Sequence, residues 1–292
     1  MKAIIFGING QDGYYLNELL KQEGIDVIGV SRREGDWIVG DVGNLVLVEQ
    51  LIQKHQPKFI FHLAANSTTW HDVIYENHNS IVTGTINILD SVLKYSKTSK
   101  VFISGSGLQF KNTGKPINES APFEGNDAYS VSRIQSVYTA RYYKTLGLKV
   151  YIGYFFNHDS PLRTERHVNQ KIIAGLKRIV RGSKEKIQLR NIEVEKEFTF
   201  AGDTVAAIWL LVNNDIDYEL VIGSGKAYSI KDWLIICFNY YNLDWEKHVE
   251  ISAEFKSDYS ILVSDPTKLL RLGWKQTENF EGLAKMMIEH EH

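Results

Sequence analysis

Along the first half of the chain, short apolar, β-rich runs alternate with longer amphipathic stretches. The runs Ala3–Phe6, Asp26–Val30, Phe59–Leu63, Val101–Ser104 and Lys149–Tyr154 read as strands. Between them, Asp12–Gln22, Leu45–His55, Val82–Tyr95 and Tyr129–Leu146 read as helices. Strands apolar along their whole length belong to a parallel sheet covered on both faces, as β–α alternation also requires. With right-handed crossovers, the simplest outcome is an α/β, doubly wound (Rossmann) fold.

The second half is less regular. A helix is predicted over Arg166–Val180, then a charged stretch, Arg181–Lys186. Strand-like pieces follow at Ile187–Leu189 and Glu219–Ile222, with helices near Thr204–Asn213 and Ile230–Tyr240. No repeat or Pro-rich linker separates the halves. The expected organisation is therefore a dinucleotide-binding domain over residues 1–160 and a smaller C-terminal substrate lobe over 161–292, partly interleaved with it.

Composition narrows the classes. Hydrophobic residues make up 43% of the 292, enough for a sizeable core. The formal net charge of −2 offers no global field for nucleic acid or an anionic membrane, so an anionic ligand must be held by local groups. The single cysteine, Cys237, lies in an apolar run and reads as a packing residue; it excludes an intramolecular disulfide and a Cys-rich zinc site. No HExxH-like histidine spacing appears, and no metal is expected. No apolar stretch approaches the roughly 20 residues of a membrane span. The chain opens directly on strand-like KAIIF, and a cytoplasmic location is expected.

The strongest local motif is Gly7-Ile8-Asn9-Gly10-Gln11-Asp12-Gly13, placed between the first strand and the first helix. Glycines here permit a tight turn and a close approach of backbone N–H groups to a pyrophosphate, which the helix N-terminus also favours. At the end of the second strand stand Arg32 and Arg33. An acidic residue there would accept the ribose hydroxyls of NAD, whereas arginine can clasp a 2′-phosphate; the plainer reading is a solvated basic strand end. Asp41 is placed to meet the adenine amino group. The cofactor expected is NADP(H).

With His62-Leu63-Ala64-Ala65 after a strand and Tyr129-Ser-Val-Ser-Arg133 on a helix, the chain resembles the extended short-chain dehydrogenases/reductases. GINGQDGYYL at 7–16, FFNHDSP at 155–161, VNQKI at 168–172 and DPTKLLRLGW at 265–274 are similar to the GDP-mannose 4,6-dehydratase branch, and the length to its GDP-4-keto-6-deoxymannose reductases. The resemblance implies hydride transfer between nicotinamide and a sugar carbon, with proton transfer at the attached oxygen. It assigns the tyrosine acid/base to Tyr129 and the supporting hydroxyl to Ser106. It also places Leu63, Ala64 and Ala65 against the cofactor and Ser67 and Asn157 against the substrate.

Two departures bear on the reaction. Arg133 stands at the family's lysine position; it keeps a permanent charge but is bulkier. Leu108 stands where the resembled dehydratases carry the glutamate that removes the C5 proton. Free tyrosine titrates at about 10, so base catalysis needs more help than acid catalysis. Both departures lean toward a reductase of a GDP-linked 4-keto sugar. A 4,6-dehydratase with displaced acid/base groups, an epimerase and a non-catalytic NADP(H)-binding protein remain as alternatives.

For the substrate phosphates, Arg163, Arg166 and Lys171 are candidates, with solvated helix charges as the equal alternative. Lys196 stands where relatives carry an arginine, and Lys256 and Asp258 could replace the family's later Arg-Pro-x-Glu. The helices at Val82–Tyr95 and Tyr129–Leu146 match those that relatives pair across a dimer. Tyr138, Tyr142 and Tyr143 offer amphipathic contact area, so a homodimer is expected.

Overall fold

The computed structural model describes residues 1–252 and 259–290. Its first half runs β1 (Lys2–Phe6), α1 (Gln11–Gln22), β2 (Asp26–Ser31), β3 (Ile38–Val39), α2 (Leu45–His55) and β4 (Phe59–His62). Then come α3 (Ile74–Asn77), α4 (Gly84–Tyr95), β5 (Lys100–Ser106), α5 (Ala128–Thr145) and β6 (Lys149–Phe155). Shorter pieces follow: β7 (His158–Asp159), α6 (Val168–Val180), β8 (Ile187–Leu189), β9 (Glu195–Glu197), β10 (Thr199–Phe200) and α7 (Ala201–Val212). The described chain ends with β11 (Glu219–Ile222), β12 (Ala227–Ser229), α8 (Ile230–Asn239), β13 (Val249–Ile251), β14 (Ile261–Leu262), α9 (Thr267–Arg271) and α10 (Phe280–Glu289).

The main sheet has seven parallel strands in the order β11-β6-β5-β4-β1-β2-β3. The order reverses between β1 and β4, which opens the crevice where doubly wound sheets bind ligands. Alternation along each strand feeds two cores. Ile4, Phe6 and Ile60 meet Val48, Ile52, Ile88 and Val137 of α2, α4 and α5. Ala3, Ile5, Phe59 and Phe61 meet Leu16, Leu20, Ile208 and Leu211 of α1 and α7.

The boundary at 160 is crossed, because α7 and β11 return from the second half to complete the Rossmann sheet. The DPTKLLRLGW segment also reaches this face: Leu269 and Trp274 are buried in it, and Trp274 Nε1 donates to the Asp203 carbonyl. A third core, around Ile172, Leu176, Trp233, Phe238 and Leu283, belongs to the smaller lobe. Cys237 is buried in it.

The helix expected from Val82 begins earlier. The chain is helical from α3 through a wide π-type turn at His78–Thr83 into α4. Polar residues Asn77 and Ser80 interrupt the apolar rhythm there. Ser80 Oγ bonds back to the Glu76 carbonyl and Thr85 Oγ1 to that of Ile81, which is how hydroxyl side chains sit inside a helix.

Candidate active site

The glycine motif forms a cradle. Gly7 has φ +96°, and a Cβ on it would stand 2.7 Å from the Ala64 nitrogen. A Cβ on Gly13 would stand 2.3 Å from the Gly7 carbonyl oxygen. The loop thus lies tight against the end of β4 and against itself. Gly10 is the N-cap of α1, and no side chain fills the first-turn N–H groups. Those groups are what a pyrophosphate requires, and a dinucleotide fits.

A cleft of about 490 Å³ opens over this loop. Gly7, Asn9, Gly10, Gln11, Arg32, Arg33 and Asp41 line it, together with Leu63, Ala64, Ala65 and Ser67. Leu162, Arg163, Thr164, Arg166 and His167 join from the chain after β7. Arg32 is not free: its Nη2 lies 2.6 Å from Glu76 Oε1. The other Glu76 oxygen accepts from Asn66 Nδ2 at 3.2 Å. The Arg33 side chain makes no such contact among the described residues.

Two motif residues serve another purpose than a direct phosphate contact. Gln11 accepts from Ser160 Oγ at 2.9 Å and donates to the His158 carbonyl. Asp12 does not line the cleft; its carboxylate is turned to His158 Nε2 at 2.9 Å. His158 Nδ1 donates to the Phe156 carbonyl at 2.8 Å, so both ring nitrogens face acceptors, an arrangement that favours the protonated ring. Burial opposes its charge, but the Asp12 charge and hydrogen bond outweigh burial and raise its pKa. Burial likewise works against the Asp12 carboxylate, and His158 and Arg163 together bring its pKa below the ordinary value. His167, by contrast, is pushed down to about 4 by burial and then by the charge of Arg163.

At the carboxyl end of the sheet, Ser106 closes β5 and caps the short turn Gly107–Gln109. Its Oγ accepts from the Leu108 N–H at 3.2 Å, while the Gln109 side chain accepts from the Ser106 N–H at 2.9 Å. The Ser106 hydroxyl proton remains available to a ligand oxygen. Tyr129, in the first turn of α5, is 9% exposed. Asp127 caps that turn, accepting from the Tyr129 and Ser130 N–H groups.

Arg133 is 4% exposed and donates through Nη1 to the carbonyl and hydroxyl of Ser104. Its guanidinium lies 5.1 Å from the Tyr129 ring centroid, and its Nε has no partner. It therefore acts on the face of the tyrosine ring while tied to β5. His62, buried beside it, is driven down to about 3 by desolvation and then by the Arg133 charge, and is neutral. Leu108 packs against the core, with no carboxylate at its position.

The residues expected on the substrate side divide. Asn157 Oδ1 is buried without a hydrogen-bond partner, and Asn157 does not line the cleft. Arg163 and Arg166 reach the cleft, but Lys171 does not, because its Nζ is spent on the Gln188 carbonyl of β8. Lys196 also lies outside the cleft lining, with Nζ over the Phe198 ring. Burial lowers its pKa, against the charge of Asp159. Lys256 and Asp258 lie outside the described residues. Among the described residues, no group of three or more His, Cys, Asp or Glu side chains could hold a metal. None of their helices is long and apolar enough to cross a membrane.

Glu76, Asn66 and the buried Glu197 gave no signal in the sequence. Glu197 accepts from the N–H groups of Ser224 and Ser264 and ties β9 to the loops beyond β11 and β14. A lone acid on a helix or strand carries no local pattern that reveals such partners.

A model of the family described as GDP-mannose 4,6 dehydratase matches residues 4–287. The chain belongs to that family. The resemblance carried by GINGQDGYYL, FFNHDSP and DPTKLLRLGW is thereby borne out. Among the relatives of this GDP-mannose 4,6 dehydratase family member is GDP-mannose 4,6 dehydratase 1 of Arabidopsis thaliana. It is 29% identical over 321 residues, covering 99% of this chain and 89% of the relative.

Among solved structures, UDP-glucose 4-epimerase of Thermus thermophilus, in complex with NAD, superposes with a TM-score of 0.85 at 18% identity. The alignment covers 99% of this chain and 98% of that one. RMD from Pseudomonas aeruginosa, complexed with NADPH, gives 0.85 at 16% identity, with 98% and 96% covered. These two share the fold expected from the alternating pattern.

Proposed function

We propose that the protein is a nicotinamide-dinucleotide enzyme acting on a GDP-linked hexose, in the manner of the GDP-mannose 4,6-dehydratases. The observation that carries this reading is the family match over residues 4–287, laid on a cleft built around the Gly7–Gly13 cradle. A nicotinamide dinucleotide held by Gly7, Asn9, Gly10 and Ala64 would, when bound, supply the hydride chemistry at the sugar carbon. Tyr129 moves the proton at the attached oxygen, and Ser106 donates a hydrogen bond to it. Asn157 offers its unpaired Oδ1 to the substrate. Arg32 and Arg33 in the cleft support a preference for NADP(H). Helices α4 and α5 form a homodimer face in this reading, and the enzyme works in the cytoplasm.

The test is incubation with GDP-mannose and NADP⁺, followed by chromatography of the nucleotide sugars. A GDP-linked 4-keto-6-deoxy product supports the dehydratase; intact GDP-mannose beside bound cofactor counts against it.

One observation favours a second reading, reduction of a GDP-linked 4-keto sugar. Leu108 packs on the core where elimination needs a carboxylate. Reduction asks Tyr129 only to donate a proton. Consumption of NADPH with a GDP-linked 4-keto sugar, and no product from GDP-mannose, establishes that reading. Cofactor binding with neither activity leaves a non-catalytic binding protein.

A further inference from the structure

The cleft holds two adjacent arginines of unlike standing. Arg32 is ion-paired at 2.6 Å with Glu76 from α3, and Glu76 is steadied by Asn66 at 3.2 Å. The Arg33 side chain is exposed and makes no ion pair among the described residues, its contacts being those of its backbone with Ser31 and Trp37. Arg32, Glu76 and Asn66 all line the cleft. The Arg32 hydrogen bond outweighs burial, which works the other way, and with Asn66 and the charges of Arg32 and Arg166 it keeps Glu76 below the usual carboxylate range. It is therefore a full negative charge at neutral pH, set beside the group best placed to take a phosphate.

We propose that Glu76 sets how strongly this cleft discriminates between nucleotides with and without a 2′-phosphate, by holding Arg32 as its internal counter-ion. A phosphate dianion must draw Arg32 away from Glu76 and then lie beside an uncompensated like charge. A plain ribose leaves the pair intact, and the carboxylate oxygens can still accept from its hydroxyls. Glu76 therefore penalises the phosphorylated nucleotide and spares the other. Two free arginines would give a steep preference; one free and one held arginine give a shallow one, so the cleft accepts both cofactor forms. This rests on the reading of the cleft as a dinucleotide site.

The experiment is calorimetric titration of NADP⁺, NAD⁺, 2′,5′-ADP and 5′-AMP into the wild type and into Glu76→Gln, Arg32→Gln and the double variant. Both side chains are partly exposed, and thermal melts check that each variant is folded. Glu76→Gln is expected to tighten NADP⁺ and 2′,5′-ADP about fivefold, the scale of one partly exposed charge contact. NAD⁺ and 5′-AMP should change less than about twofold. In the Arg32→Gln background that gain should vanish, which a merely structural role for Glu76 would not produce.

An unchanged NADP⁺/NAD⁺ ratio in Glu76→Gln, with wild-type binding intact, overturns the role of Glu76 alone. So does equal tightening of both nucleotides. A wild type that binds none of the four ligands overturns this inference together with the reading of the cleft.

Discussion

Ser106 and Tyr129 sit at the carboxyl end of β5 and the first turn of α5, elements fixed by buried packing and by caps. Tyr129→Phe removes only the phenolic oxygen, so binding of cofactor should survive while turnover falls about 10²–10⁴-fold, the worth of general acid–base catalysis. Equal turnover of wild type and variant in a steady-state assay would remove Tyr129 from the mechanism. Ser106→Ala should cost less, since the proton donor remains. Their places at a strand end and at a helix start were legible, because the alternating pattern marks both elements in the sequence, while the roles came from the resemblance alone.

The posture of Arg133 was not legible. Its guanidinium fork is fixed by Ser104, and the Ser104 hydroxyl also donates to the His62 carbonyl across the sheet. Lysine keeps the charge and has donors for Ser104, but it lays no planar body over the Tyr129 ring. Arg133→Lys is therefore expected to destabilise the fold by about 1 kcal/mol, through the lost ring contact and packing. A denaturant midpoint equal to that of the wild type would contradict this account.

At the scale of elements, the long strands and α1, α2 and α5 were readable because each has its own apolar face against one core. The strands β7, β9, β10, β12, β13 and β14 are two or three residues long, and their pairing is set by the tertiary placement of the loops that carry them. No periodicity can be expressed over so short a span. Some of these pieces nevertheless organise the site. At the end of β6, the His158–Asp12 pair clamps β7 to the first turn of α1, and so holds the phosphate loop in place.

Its pH dependence can be given a sign. The His158 pKa is raised on folding, so its contribution is complete below the unfolded value of about 6.5 and is lost as pH rises through the folded value. The Asp12 pKa is lowered, so its contribution is present above about 3.9 and is lost as pH falls through the folded value. The clamp is thus strongest from about pH 4 to 6.5. His158→Gln should cost about 3 kcal/mol in that window, as breaking a buried pair does, and less above it. Melting temperatures of the wild type and variant should converge as pH rises; a constant gap would refute the clamp. The cradle offers a steric counterpart. Gly13→Ala drives a methyl into the Gly7 carbonyl at 2.3 Å, and nucleotide affinity should fall at least tenfold by titration, about 1.4 kcal/mol.

At the scale of the whole molecule, the doubly wound order was legible because β–α alternation admits few topologies, while the return of α7 and β11 across residue 160 was not. Interleaving depends on which face a late helix finds, and Leu211 and Ile208 find the α1 side of the sheet. The opposite side carries α4 and α5 next to each other, and α5 leaves an apolar row facing outward. Val131, Tyr138, Tyr142 and Leu146 follow helical spacing and are 41%, 59%, 59% and 43% exposed, with Ile86 of α4 at 42%. Tyr143 instead turns inward and bonds Asp90, so only two of the three tyrosines remain available. A second copy of the same face is the simplest cover for such a row, because a two-fold axis brings identical patches together. A standard interface hides about 800 Å² per partner, a span that two helices of this length can provide. The protein should therefore behave as a homodimer in light scattering at micromolar concentration. Tyr142→Glu, which places two like charges near the axis, should yield a folded monomer; a wild type that is already monomeric at that concentration would leave these tyrosines as ordinary surface residues.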